Sequence, residues 1–214
     1  MNLLNFKNNI YKKILCLIPL SLLCSPPSYA ELKIEFEDSN SLVKTILQEA
    51  YNTMGKRVGA KKVNWSWCKD DYSYYEPFRN YICLEKSLKN QDLALAFTTA
   101  HEYGHHVQKY AFGAFSDENW REKVNIVKLE LQADCFAGVI LASIPNFYIT
   151  PDDATKMIGI VEKYYGDTEY DHWDHHGSGE SRALAFRSGL RFGATKGSDK
   201  DNYYKVFCSG DVSK

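Results

Sequence analysis

The sequence predicts a mainly α-helical α+β domain. A helix bearing His-Glu-x-x-His packs on a second helix bearing Glu-x-x-x-Asp, beside a small β edge or hairpin. Three observations predict this. Two long stretches, Gln91 to about Phe112 and Trp120 to Ile144, repeat apolar residues at helical spacing with charged residues set among them. Two short stretches, around Trp65–Trp67 and Tyr81–Leu84, read as strands. No repeat, low-complexity tract or linker divides the 214 residues, and the length suits one domain with a sizeable core.

The first thirty residues read as a secretory signal. Lys7, Lys12 and Lys13 form a positive region, Ile14 to Cys24 is a short apolar run broken by Pro19, and Ser28-Tyr29-Ala30 is a small-x-small cleavage site before Glu31. The run is short for a membrane span, and no later stretch is apolar enough for one. An uncleaved leader acting as an anchor is the alternative. Leu23, where a lipoprotein signal has a small residue, disfavours lipidation at Cys24. The expectation is an exported chain, periplasmic or secreted, with residues 31–214 as a single domain and no stable membrane span after cleavage. The leader carries three of the 26 basic residues and none of the 27 acidic ones, which leaves a net charge of −4. No basic block interleaved with aromatics is present, so nucleic acid is excluded as a partner.

Four cysteines follow the leader: Cys68, Cys83, Cys135 and Cys208. An even number in an exported chain points to disulfides. Three pairings exist. Cys68–Cys83 with Cys135–Cys208 is favoured, since it closes a short loop and ties the C-terminal tail to a central helix.

Ser41 to Lys56 reads as a helix capped by Ser39 or Ser41 and ended by Gly55 and Gly59, with Leu42, Val43, Ile46, Leu47, Ala50 and Met54 on its apolar face. Trp65 and Trp67 alternate with polar residues as a short strand, and Tyr81–Leu84 is a second. A strand just before the next helix offers an edge on which an extended peptide pairs.

The stretch from Gln91 to Phe112 contains Ala100-His101-Glu102-Tyr103-Gly104-His105-His106, with Gly113 as the stop. Four residues apart on a helix, His101 and His105 share one face, one turn from each other. Two imidazoles so placed grip one small cation, and Glu102 is a carboxylate able to take a proton from water there. The apolar run Leu93–Phe97 carries the motif into a core, where a His-Glu-His cluster without a metal is expensive. Gly104 costs the helix about 1 kcal/mol relative to Ala and marks the close approach of another element. His106 points off the ligand face and is either structural or a supporting residue behind the ligands.

In the second long helix, Glu130 and Asp134 are again four apart and lie among apolar residues. Two acids on a half-buried face repel unless a cation or donor compensates. A zinc ion with its histidines does so: Glu130 is then the third ligand, and Asp134 accepts the second ring N–H of a ligating histidine. Thr150 and Pro151 open another helix that ends near Gly166. Ser178 caps a last one to about Arg191. Between these lie His172, His175 and His176, so all six histidines fall at the metal motif or in this loop. A histidine over the metal stabilises an oxyanion; a second metal and a solvated turn are the other readings.

Three segments carry a resemblance: His-Glu-Tyr-Gly-His-His-Val-Gln (101–108), Leu-Glu-Leu-Gln-Ala-Asp-Cys-Phe-Ala-Gly (129–138) and His-Gly-Ser-Gly-Glu-Ser-Arg (176–182), followed by Phe186 and Gly189. From about Cys68 onward the chain resembles the neutral zinc metallopeptidase family of bacteria. More remotely it is similar to the prenyl-protein and heat-shock zinc peptidases of the gluzincin group. The resemblance implies a zincin-like fold and one Zn2+ per chain held by His101, His105 and Glu130. It also implies Asp134 as orienter, Glu102 as catalytic base, and His176 and Arg182 as contacts to the transition state or a substrate carboxylate. Gly179 and Ser181 stand where that family has Ser and Gln, and Ala185 replaces an aromatic, so the substrate pocket is where this chain departs. The function expected is zinc-dependent hydrolysis of a peptide or protein substrate. The alternative is an inactive peptidase scaffold that binds a peptide or cell-envelope partner.

Overall fold

A computed structural model describes residues 38–69, 71–144, 149–167, 175–194 and Cys208. Residues 1–37, on which the expected leader falls, His172 and most of the C-terminal tail lie outside the described residues, which all belong to one structural unit, Lys33–Lys214.

The first helix, α1 (Ser39–Thr53), is capped by neither predicted serine: Asp38, just before Ser39, is the cap, its Oδ1 accepting the Ser41 N–H at 2.8 Å. A carboxylate satisfies an orphan helix donor and meets the positive helix end, so it outcompetes the nearby serines. Leu42, Val43, Ile46, Leu47 and Ala50 form the buried face.

Three short strands follow: β1 (Asn64–Trp67), β2 (Tyr74–Glu76) and β3 (Tyr81–Leu84), in the spatial order β1-β3-β2. β1 runs parallel to β3 with Trp65 opposite Ile82. β2 runs antiparallel to β3 with Tyr75 opposite Ile82. The strand just before the next helix is therefore the centre of the sheet, contrary to its reading as an edge. β2, whose three residues show no alternation long enough to read from the sequence, is an edge instead. Cys68 is bonded to Cys83 across the sheet.

Helix α2 (Asp92–Phe112) is the central element. Every residue from Ala94 to Gln108 is buried, as in a helix surrounded on all sides. Gly113 ends it at φ 70°, a left-handed turn in which a side chain is strained.

The predicted helix from Trp120 to Ile144 is divided. Trp120–Lys123 forms one turn (α3), Val124 and Asn125 are extended, and α4 runs from Ile126 to Ser143. Asn125 is the reason: its Oδ1 accepts the Lys128 N–H at 3.0 Å and starts a new helix. Helix α5 (Pro151–Tyr164) opens on a capping box between Thr150 and Asp153, and α6 (Gly179–Ala194) follows Ser178. Cys135 of α4 is bonded to Cys208.

The close approach of α2 and α4 sets the site. A Cβ on Gly104 would lie 2.9 Å from the Ala133 carbonyl oxygen and 3.1 Å from its Cα, between Glu130 and Asp134. Gly104→Ala is therefore expected to destabilise the fold by about 1–3 kcal/mol, the cost of overpacking, despite alanine's better helix propensity. Chemical denaturation checks this, and a stabilised variant would refute it.

Candidate metal centre

Local spacing places His101 and His105 side by side on α2, their rings 4.7 Å apart and nearly perpendicular. The Gly104–Ala133 contact brings α4 against that face, and Glu130 meets both rings. Its Oε2 lies 3.2 Å from His101 Nε2, and its Oε1 lies 3.4 Å from His105 Nε2. One ligand atom from each of the three buried residues lies within 4.8 Å of the others. Tetrahedral bonds of ~2.0–2.1 Å hold two donors roughly 3.3–3.4 Å apart, and both Glu130–imidazole separations are close to that, so the donor types and spacing suit zinc.

The surrounding groups orient the donors. Asp134 Oδ1 lies 2.8 Å from His101 Nδ1, which leaves Nε2 for the metal side. Arg182 grips Asp134 with both arms of its fork, Nε to Oδ2 at 2.8 Å and Nη2 to Oδ1 at 2.9 Å, and its Nη1 donates to the Tyr165 carbonyl at 2.7 Å. The guanidinium that the resemblance assigns to substrate is thus turned onto the protein. Its Nη2 also lies 3.3 Å from Glu130 Oε2.

Charge separates the carboxylates. Burial opposes ionisation of Glu130, but the charges and hydrogen bonds of His105 and His101 hold it well below the usual carboxylate range. Burial also opposes ionisation of Asp134, yet Arg182 and His101 keep its carboxyl low. Glu102 goes the other way: burial pushes its carboxyl up, against the pull of His101 and His105. Burial disfavours a charge on His101, but hydrogen bonds to Asp134 and Glu130 prevail and raise it to about 10.

His106 is buried on the opposite side. It is fixed by Tyr75 Oη at Nδ1 (2.9 Å) and by the Lys61 carbonyl at Nε2 (2.7 Å), and burial lowers it to about 4. It is a structural residue that ties α2 to the sheet.

A cleft of about 830 Å³ opens over the centre. His101, Glu102, His105, Glu130, His176 and Arg182 all line it, with Tyr74 and Tyr75 of β2 on one wall. His176 is held by Asp167, whose Oδ2 accepts the His176 backbone N–H at 2.6 Å and lies 3.3 Å from its Nδ1. His175 Nδ1 lies 3.5 Å from the same oxygen.

Residues 53–199 match the family described as "Putative neutral zinc metallopeptidase". The chain belongs to this family. Within its curated relatives, the YpfJ proteins of Escherichia coli strain K12 and of E. coli O6:H1 are each 31% identical over 104 residues, covering 45% of this chain and 36% of the relative. The chain thus aligns with little more than a third of the length of the curated relatives it matches. No solved structure matches it. The family's description implies zinc, and the buried group His101, His105 and Glu130 could hold a metal ion. Gln108, Gln132 and Tyr165 contact the site's residues without having been singled out in the sequence. Of these only Gln108 had a local signal, three residues after His105 on the same helix.

Proposed function

We propose that the chain is a zinc-dependent peptidase acting outside the cytoplasm. The observation that supports this best is geometric: buried His101, His105 and Glu130 converge as a donor set, and Glu102, the carboxylate able to take a proton, lines the same cleft. Zinc, when held by His101, His105 and Glu130, supplies a Lewis acid that polarises the scissile carbonyl and makes water nucleophilic near neutral pH. Glu102 takes a proton from the attacking water and gives it to the leaving amine. His176 lines the cleft as a donor to the oxyanion, with Asp167 holding its ring. Arg182 positions His101 through Asp134. An extended peptide pairs along β2, the edge strand whose residues form a wall of the cleft.

Export is supported by the leader-like pattern of residues 1–30 and by two disulfides, which persist in oxidising compartments. Among the described residues no helix is long and apolar enough to cross a membrane.

The test is cleavage of a peptide library by zinc-loaded protein, read by mass spectrometry, beside a Glu130→Ala variant. Cleavage that stops with a chelator and returns with zinc is expected. The variant is expected to retain no zinc by elemental analysis and to cleave nothing. Zinc at full occupancy with no turnover on any peptide would overturn the peptidase reading.

A further inference from the structure

Behind His105 lies a row of side-chain amides that the metal donors do not account for. His105 Nδ1 is 2.8 Å from Gln108 Oε1. Gln108 Nε2 donates to the Leu129 carbonyl at 2.7 Å and to Gln132 Oε1 at 3.0 Å. Gln132 Nε2 donates to the Cys208 carbonyl at 2.8 Å. Gln108 is fully buried and Gln132 nearly so. The Cys208 end is bonded to Cys135, one turn from Gln132 on α4.

The two backbone carbonyls determine the polarity of the whole row. A carbonyl only accepts, so the NH2 of Gln108 must face Leu129 and the NH2 of Gln132 must face Cys208. Each amide then has its oxygen at the other end. Gln132 Oε1 receives Gln108, and Gln108 Oε1 is left facing His105. An oxygen there requires the proton on Nδ1, which leaves the Nε2 lone pair toward Glu130 and the metal. His101 obtains the same tautomer from a charged partner, Asp134. His105 obtains it from neutral amides whose outer end is pinned by a disulfide.

We infer that Gln108 is the positioning residue for the metal ligand His105, and that Gln132 and the Cys135–Cys208 disulfide hold it in register, so that zinc affinity depends on this disulfide. This rests on zinc binding at His101, His105 and Glu130 as read above. Opening the disulfide releases the Cys208 carbonyl from Gln132 Nε2 and weakens the constraint that keeps an oxygen against His105 Nδ1.

The experiment is the zinc dissociation constant of the full chain, by competition with a chromophoric chelator. It is measured for wild type, Gln108→Leu, the pair Cys135→Ser with Cys208→Ser, and all three changes together. Far-UV circular dichroism reports the fold, and cobalt(II) absorption reports ligand geometry. Gln108→Leu is expected to weaken zinc about 10–100-fold, the range for partners of a ligating histidine, and to shift the cobalt spectrum. The serine pair is expected to weaken zinc by a smaller factor and to add nothing to Gln108→Leu, because both act through one row. Wild-type affinity in either folded variant, or losses that multiply when combined, would overturn the inference. If Gln108→Leu does not fold, the serine pair decides alone. A wild-type chain that binds no zinc would overturn the metal site itself, and this inference with it.

Discussion

Glu102→Gln is expected to lower peptide hydrolysis by about 10²–10⁴-fold while zinc stays bound at one per chain. The substitution keeps size and hydrogen-bonding shape and removes only the ability to accept a proton. Glu102 is 6% exposed and lines the cleft with the three donors, and its carboxyl lies above the ordinary range because burial outweighs the attraction of His101 and His105. A carboxylate whose affinity for a proton is raised in this way is a stronger base, and of the three acids on the His-Glu-x-x-His and Glu-x-x-x-Asp motifs only Glu102 has that character. Glu130 is held low by its imidazole partners, and Asp134 is engaged by Arg182. The check is kcat at saturating zinc together with elemental analysis. Hydrolysis within about tenfold of wild type would remove Glu102 as the base.

Arg182→Met is expected to cost about 3–5 kcal/mol of stability, the range for stripping a buried charge of its partner. Asp134 is wholly buried, and two of its three hydrogen bonds come from the Arg182 fork, the third from His101. The same contacts raise the Arg182 pKa further above its already high ordinary value, because the charge of Asp134 outweighs the opposing effect of burial. Adding Asp134→Asn removes the stranded charge and keeps an oxygen for His101. The double variant is therefore expected to recover much of the loss, a coupling that a double-mutant cycle reads directly. Urea denaturation with a chelator present separates this effect from metal binding. A single-variant cost below about 1 kcal/mol, or additive losses, would show that the pair does not support the fold.

Much of the site was legible because it is local. His101, Glu102 and His105 lie on one helix, and the rise and turn of a helix set their relative placement whatever else the chain does. Glu130 and Asp134 share a face of α4 for the same reason, and Gly104 announced the helix that approaches there. The break at Asn125 and the cap at Asp38 were misread, since several polar residues compete at each helix start and the hydrogen bond actually formed decides among them.

The sequence by itself determined the donor types, their spacing and the helices that carry them. Tertiary structure decided which histidine Asp134 serves and what stands behind the other donors. His101 meets Asp134 across 33 residues, Arg182 reaches Asp134 across 48, and Gln132 reaches Cys208 across 76. It also decided that β3 is the centre of the sheet and β2 an edge beside the cleft. Spacing within a helix follows from bond geometry. Contacts between elements depend on which apolar faces pack and how closely backbones approach, and no single stretch of the chain contains that information.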